Sequence, residues 1–323
     1  MRSLKESLAR AKARRAELFA DPRTTAFRVV NAHADSVPDV TVDYFDRLLV
    51  MSTYRSFSEA DEAELAETCM DVFEGRSLYL KRRPKEARVV ANTARADVSP
   101  ATPLRGEAID HVEVLENGLR FDIRPGAGLS VGLFLDMRDI RAWLFANAND
   151  KRVLNTFAYT CGFGVTARAA GAMRAVNIDI SRRVLDWGED NHRLNQLSVE
   201  RRDFIAGDVF DWLGRFHKKG EQFDVVVLDP PSFATTEKSR FTAARDYPKL
   251  VRAALSVLPR GGVLLACCNL ASLDAEAFAD LVTHGFSLAA RRPGKRVALG
   301  PSPVDFPADE RSPHRLNALA VHT

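Results

Sequence analysis

The sequence predicts a doubly wound α/β fold preceded by a smaller α+β domain. Three observations carry this: from Arg152 onward short apolar runs alternate with amphipathic stretches, a glycine-bearing loop follows the first run, and the later runs close on acids, Asp179 and Asp229, with Asp208 just past the third. Alternating units of this length imply a parallel sheet with helices on both faces. Such sheets bind ligands outside the carboxyl ends of their strands.

In chain order, Leu4, Leu8, Ala11 and Leu18 recur at roughly helical spacing, so residues 1–24 read as a basic amphipathic helical arm that stops before Asp21-Pro22. Residues 25–108 read as a small α+β domain, with strands over 26–31, 40–44 and 48–53, a helix over 58–73 and a strand over 77–80. Residues 109–145 hold a hairpin linker: strands over 111–115 and 119–123 flank Asn117-Gly118, a strong hairpin signal. Residues 146–323 form the large domain. Its strands over 152–155, 175–179, 204–206, 223–228 and 262–267 alternate with helices over 165–171, 182–194, 209–216, 245–258 and 274–284, and two final strands fall over 286–291 and 316–321.

A hydrophobic content of 46% suits a globular protein with a large core. No apolar run approaches the roughly 20 residues that span a bilayer, and the N-terminus lacks a signal-peptide core, so no membrane partner is expected and the location is expected to be cytoplasmic. Cys69, Cys161 and the adjacent Cys267 and Cys268 show no C-x-x-C spacing; reduced thiols and no metal site are expected.

Charge is concentrated. Residues 1–23 carry seven Lys or Arg against three acids, a local excess of +4 in a chain of net charge +3. Further clusters lie at 81–88 (Lys81-Arg82-Arg83-Pro84-Lys85 and Arg88), at 238–245 (Lys238, Arg240, Arg245) and at 291–296 (Arg291-Arg292-Pro293-Gly294-Lys295-Arg296). With the arm at 2–15 these are what phosphate-backbone binding requires, although a solvated face accounts for any one alone. RNA is therefore the expected partner, and a homodimer is allowed for.

The candidate site grows from the strand ends. Asn155 leads into Thr156-Phe157-Ala158-Tyr159-Thr160-Cys161-Gly162-Phe163-Gly164, where glycine lets backbone approach a ligand. Gly162, Gly164 and Ala167 satisfy a permissive dinucleotide pattern, weak by itself. Seventeen residues after Gly162, Asp179 can accept both hydroxyls of a cofactor ribose, and Asp208, between Gly207 and Val209, can accept an adenine amino group. Each could instead be a plain helix N-cap. After the fourth strand comes Asp229-Pro230-Pro231-Ser232-Phe233. Two prolines fix their own φ and remove two donors, so the turn ends the strand and leaves the Asp229 carboxylate at its carboxyl end.

That turn resembles motif IV of class I S-adenosylmethionine (SAM) dependent methyltransferases, whose fold is a Rossmann-like sheet with an antiparallel last strand. Most of the chain from Thr25 is similar to the bacterial 23S rRNA methyltransferases of the cytosine-C5 (RlmI) type and their guanine-N7 relatives. The similarity rests on Thr25-Ala26-Phe27-Arg28, Pro38-Asp39-Val40-Thr41-Val42-Asp43, Gly132-Leu133-Phe134-Leu135-Asp136-Met137-Arg138, Asn155-Thr156-Phe157-Ala158-Tyr159-Thr160 and Asp229-Pro230-Pro231-Ser232-Phe233. The resemblance implies SAM as cofactor and methylation of an RNA base. It implies that Phe134, Asp136 and Arg138 close over the methionyl end, with Arg138 on its carboxylate. Asn155, Tyr159, Gly162, Asp179, Ile180, Asp208, Val209 and Asp229 are the remaining implied cofactor contacts. Asp229, Pro230, Pro231 and Phe233 would hold the target base.

Two departures stand out. The family usually opens with a PUA RNA-binding domain where this chain has the basic arm, so target selection is expected to rest elsewhere. Cytosine C5 also needs a cysteine that adds to carbon-6. In the family that residue is ninth, counted from the first glycine of Gly-Gly; here the ninth from Gly261 is Asn269, as in the guanine-N7 enzymes, and Cys268 is eighth. Cys268 is the candidate nucleophile if the register shifts by one, and a buried structural thiol otherwise. Rival readings are a methyltransferase for protein or small molecules, an NAD-dependent oxidoreductase on the same sheet, and a silent RNA-binding module.

Overall fold

The computed structural model describes residues 3–83, 97–235, 240–270, 272–309 and 316–323. The chain divides into two compact units, Met1–Leu135 with Ser302–Pro313, and Asp136–Pro301 with His314–Thr323. No helix among the described residues is long and apolar enough to cross a membrane.

In the first unit, Ser3 and Glu6 cap α1 (Leu4–Arg14) reciprocally, and α2 (Ala16–Ala20) follows. A five-stranded sheet runs β1 (Ala26–Asn31), β2 (Val40–Phe45), β3 (Leu48–Thr53), β4 (Ser77–Arg82) and β5 (Arg105–Gly106). Only β3 and β4 pair in parallel, because α3 (Glu59–Phe73) supplies the crossover that a parallel pair needs. The hairpin of β6 (Val112–Glu116) and β7 (Leu119–Ile123) turns at Asn117 and Gly118, both with φ above zero, as an Asn-Gly turn demands.

The basic arm is part of this unit's core. Leu8 packs with Phe27, Val29 and Phe73, and Arg15 is fully buried, bonded through Nη1 and Nη2 to the Asp35 carboxylate at 3.0 and 2.6 Å. Lys5, Lys12 and Arg14 pair with Asp71, Glu74 and Asp35 at 2.8, 2.7 and 2.9 Å. Four of the arm's cations are thus paired within the fold, Arg14 and Arg15 sharing the Asp35 carboxylate, and the burial of Arg15 removes it from the RNA-facing cluster expected at 2–15; Arg2 lies outside the described residues. In the second cluster Lys81 is buried and donates to the Gly128 carbonyl, and Arg82 pairs with Glu62. Residues 84–88 fall outside the described residues.

The second unit opens with α4 (Arg138–Asn147), a helix where the apolar pattern predicts none. Then alternate β8 (Arg152–Thr156), α5 (Gly162–Ala169), β9 (Arg174–Asp179), α6 (Arg182–Leu194), β10 (Phe204–Ala206), α7 (Val209–Lys218) and β11 (Val225–Leu228). The short strands β12 (Phe233–Thr235) and β13 (Arg240–Thr242) pair antiparallel, and α8 (Ala243–Leu255), β14 (Val263–Asn269), α9 (Ala275–Leu288), β15 (Arg296–Leu299) and β16 (Leu316–His322) complete the unit. The sheet order is β10-β9-β8-β11-β14-β16-β15; β16 alone runs against the rest, pairing antiparallel with β14 on one side and β15 on the other.

Strand alternation sorts the two layers. Leu154, Val226, Leu228, Leu264, Ala266 and Cys268 meet α7, α8 and α9 on one face, while Val153, Val225, Val227, Leu265 and Cys267 meet α4 and α5 on the other. The strand predicted over 286–291 is in fact the end of α9 and its exit. Phe278, Val282 and Phe286 recur every four residues on one buried helical face, and that period overrides the short apolar run.

Candidate functional site

The strand registers place the motifs in one row. Thr156 of β8 lies opposite Ile178 of β9 and Leu228 of β11; Leu228 lies opposite Ala266 of β14. One residue further, Phe157, Asp179, Asp229 and Cys267 follow side by side at the carboxyl edge. β8 and β11 are adjacent although three strands apart in sequence, so the row straddles the point where the chain reverses direction across the sheet, the place such sheets bind ligands. With strands about 4.8 Å apart, Asp179 and Asp229 are separated by about 10 Å.

The loop after β8 is shaped by backbone. Phe157, Tyr159 and Cys161 have φ of 54°, 49° and 61°, left-handed values that non-glycine residues rarely adopt. Neighbouring elements hold it there. Ala158 N–H donates to the Ile178 carbonyl at 2.9 Å, Tyr159 N–H to Asp179 Oδ2 at 2.9 Å, and Asn191 Nδ2 of α6 to the Thr160 carbonyl at 3.0 Å. Gly188 of α6 lies so near the loop that a Cβ would overlap Cys161 Sγ. Asn191 and Gly188 escape sequence reading; their only signal is that they share a helix face with the buried Trp187 and Leu185.

Asp179 also accepts from Ser181 N–H at 2.9 Å. Burial raises its pKa against the opposing pull of the Ser181, Tyr159 and Ile180 amides. Ile180 beside it is 67% exposed, an apolar surface on the rim. Gly162 opens α5. Asn155 is buried and donates to Asn177 Oδ1 at 2.9 Å, so it braces β8 against β9 beneath the loop. Asp208 is the N-cap of α7, accepting from Asp211 N–H at 3.1 Å, and Val209 is buried behind it.

Asp229 is half-buried at the end of β11, and its pKa is pushed up to about 7, by desolvation first and then by the Asp136 carboxylate, with Arg141 opposing. Arg141 is buried beside Phe163 in the layer of α4; it lies one helical turn past Arg138, a spacing that could have announced it. Arg138 is buried, its Nε 3.6 Å from Asp139. Phe134 belongs to the first unit and is 43% exposed.

After Asp229, Pro230 is buried, Pro231 exposed and Phe233 61% exposed. Two bonds set the turn: Ser232 Oγ donates to the Asn269 carbonyl at 2.6 Å, and Ala243 N–H at the head of α8 donates to the Ser232 carbonyl at 3.1 Å. Tyr247 of α8 steadies the next strand by donating to the Cys267 carbonyl at 2.8 Å. Cys268 is wholly buried, and desolvation, with the Asp229 carboxylate, pushes its thiol up to about 11; Asn269 is the exposed residue at the strand end. Among the described residues no three His, Cys, Asp or Glu side chains gather as a metal site.

This edge offers carboxylates for hydroxyl and amino donors, an apolar rim and an exposed aromatic. Residues 34–287 match the family model of S-adenosylmethionine-dependent methyltransferases. The chain belongs to this methyltransferase family. The methyltransferase is 32% identical over 305 residues to the ribosomal RNA large subunit methyltransferase I of Photobacterium profundum, covering 94% of this chain and 75% of that protein. It is equally 32% identical to the enzyme of the same name from Pseudoalteromonas translucida, over 85% of this chain and 68% of that one. Among solved structures, the methyltransferase SMU.776 complexed with SAH superimposes with a TM-score of 0.87 at 28% identity, covering 100% of this chain and 83% of that one. SAM is accordingly the cofactor of the methyltransferase, and its sheet is the Rossmann-like one of these enzymes.

Proposed function

We propose that this methyltransferase methylates a nucleobase of large-subunit ribosomal RNA, with guanine N7 as the acceptor. The observation that carries the reading is the carboxyl-edge row, with a cofactor-type carboxylate at Asp179 and a base-type turn at Asp229 about 10 Å away. The names of the rRNA methyltransferase relatives support the substrate class.

The residues at the edge fit the donor: Asp179 can accept ribose hydroxyls, Ile180 and the Tyr159 ring offer apolar cover, and Asp208 has a second carboxylate oxygen beyond its cap bond for an adenine amino group. Asp136 and Arg138 would take the amino acid end. When bound, SAM supplies a methyl group activated by a sulfonium. The protein's task is then positioning, which can lower a barrier by roughly 7 to 11 kcal/mol.

Phe233 would stack on the target base, worth about 1 to 3 kcal/mol. Asp229 in its ionised form would accept from the base's N–H groups, with Pro230 and Pro231 fixing the approach. N7 carries its own lone pair and needs no activation, whereas C5 would require a thiolate. Cys268, sealed in the core with its thiol raised to about 11, is poorly disposed to supply one, and Asn269 faces outward instead.

Incubating the protein with 23S rRNA and methyl-labelled SAM, followed by nucleoside mass spectrometry, tests this. Labelled 7-methylguanosine is expected. Labelled 5-methylcytidine would overturn the acceptor and return Cys268 to the mechanism, and label only in protein or small molecules would overturn the RNA reading.

A further inference from the structure

The helix that grows out of the Asp229 turn carries a basic face. Arg245, Lys249 and Arg252 of α8 are exposed and spaced i, i+4, i+7, which places them on one side of the helix over about 10 Å. The lower part of this face opens into a groove of about 870 Å³ lined by Lys249, Arg252, Phe210, Leu288 and Arg291.

The charge of the groove is not cancelled. Asp246 pairs with the stripe at 2.8 Å from Arg245 Nη2 and 3.2 Å from Lys249 Nζ, and no carboxylate pairs with Arg252 among the described residues. A helix C-terminus would ordinarily make such a floor negative. Here Arg291 donates to the carbonyls of Leu255, Leu258 and Pro259 at 2.9, 2.6 and 3.2 Å, which removes that repulsion and leaves the guanidinium charge behind. The groove also has apolar walls: Leu288 is 43% exposed, and Phe210 packs 6.3 Å from Phe241, itself 6.4 Å from Phe157 of the cofactor-side loop. Cations beside exposed apolar surface suit a single strand, whose phosphates and unstacked bases need both.

We propose that this groove holds the backbone of single-stranded RNA leading away from the base at the Asp229 turn, with Lys249 and Arg252 on neighbouring phosphates. The inference rests on the RNA reading above, and names the path on which that substrate lies.

The test compares the wild-type protein with the double variants Lys249→Glu/Arg252→Glu and Lys249→Gln/Arg252→Gln, using in vitro transcribed 23S rRNA and labelled SAM at several KCl concentrations. KM for rRNA should rise about tenfold in the glutamate variant, with kcat and SAM affinity unchanged, and the slope of log(1/KM) against log[KCl] should shrink by about 1.4, two phosphates at about 0.7 each for a single strand. If wild type methylates rRNA and both variants match its KM and salt slope, the groove assignment is overturned while the function stands. If wild type transfers no methyl to rRNA, the function fails and the groove with it. Should the glutamate variant lose SAM binding through misfolding, the glutamine variant decides by the same two readouts.

Discussion

Ser232 Oγ donates to the carbonyl of Asn269 at 2.6 Å, which fastens the Asp-Pro-Pro turn of β11 to the outer end of β14. The turn lacks two backbone donors at its prolines, so this side-chain bond does work that an amide would do elsewhere. Ser232→Ala should cost about 0.5 to 1.5 kcal/mol of stability. It should also lower kcat several-fold with SAM affinity intact, as measured by thermal melts, steady-state transfer and SAM titration.

Asp229 gives the enzyme a pH dependence whose sign is fixed. Its carboxyl, raised from 3.8 to about 7, keeps in the folded state a proton that the unfolded chain has already released. Stability from this group is therefore complete below pH 3.8 and declines as pH climbs through 7, and Asp229→Asn should flatten the decline in melts between pH 4 and 8. Activity should move the other way. If the ionised form grips the base, kcat/KM rises with a midpoint near 7 in wild type and shows no such step in the asparagine variant.

Cys268→Ala should retain methyl transfer, with a stability loss of about 1 kcal/mol for a trimmed core thiol. Complete loss of product with SAM binding preserved would contradict the N7 assignment. Iodoacetamide should likewise leave Cys268 unmodified in the native protein and label it only after denaturation, as peptide mapping would show.

Gly164 is held to glycine by Asn177, whose Oδ1 a Cβ would overlap. Gly164→Ala must push Asn177 away from Asn155 and lift α5 from β9, an overpacking cost of about 1 to 3 kcal/mol. SAM affinity measured by calorimetry should weaken as well, because the loop leading into α5 shifts with the helix.

Asp35 answers the fully buried Arg15 and also accepts the Asn31 N–H at 2.7 Å. Asp35→Ala leaves a guanidinium buried without its carboxylate, at a cost of about 3 to 5 kcal/mol, enough to lower Tm by many degrees. Asp35→Asn, which retains an acceptor, should lose less.

Much of this architecture can be read from the residues. The row of Phe157, Asp179 and Asp229 follows from strand ends whose apolar runs and breakers are plain, and alternation alone separates Cys267 from Cys268. What stays hidden is whatever depends on partners distant in sequence. Arg15 looks like one more cation of a basic arm until Asp35 and the Asp305 carbonyl enclose it. Arg291 looks like a surface charge until α8 brings its last carbonyls alongside. The end of α9 reads as a strand because Phe286 to Arg291 is short and apolar-led, and only packing of Phe278, Val282 and Phe286 on one side shows the helical period. Asp208 shows why two readings of an acid need not compete, since the cap of α7 engages Oδ1 and a carboxylate has a second oxygen.

The position of β16 between β14 and β15 bears on biosynthesis. Until Leu316–His322 emerges, a growing polypeptide has both of those strands but nothing to zip them together, and the flank of β14, with its apolar Leu264 to Cys268, stands as an open template for foreign strands. Closure of the sheet is thus deferred until β16 is made, and a ribosome stalled between β15 and β16 would carry a sticky intermediate for chaperones to shield.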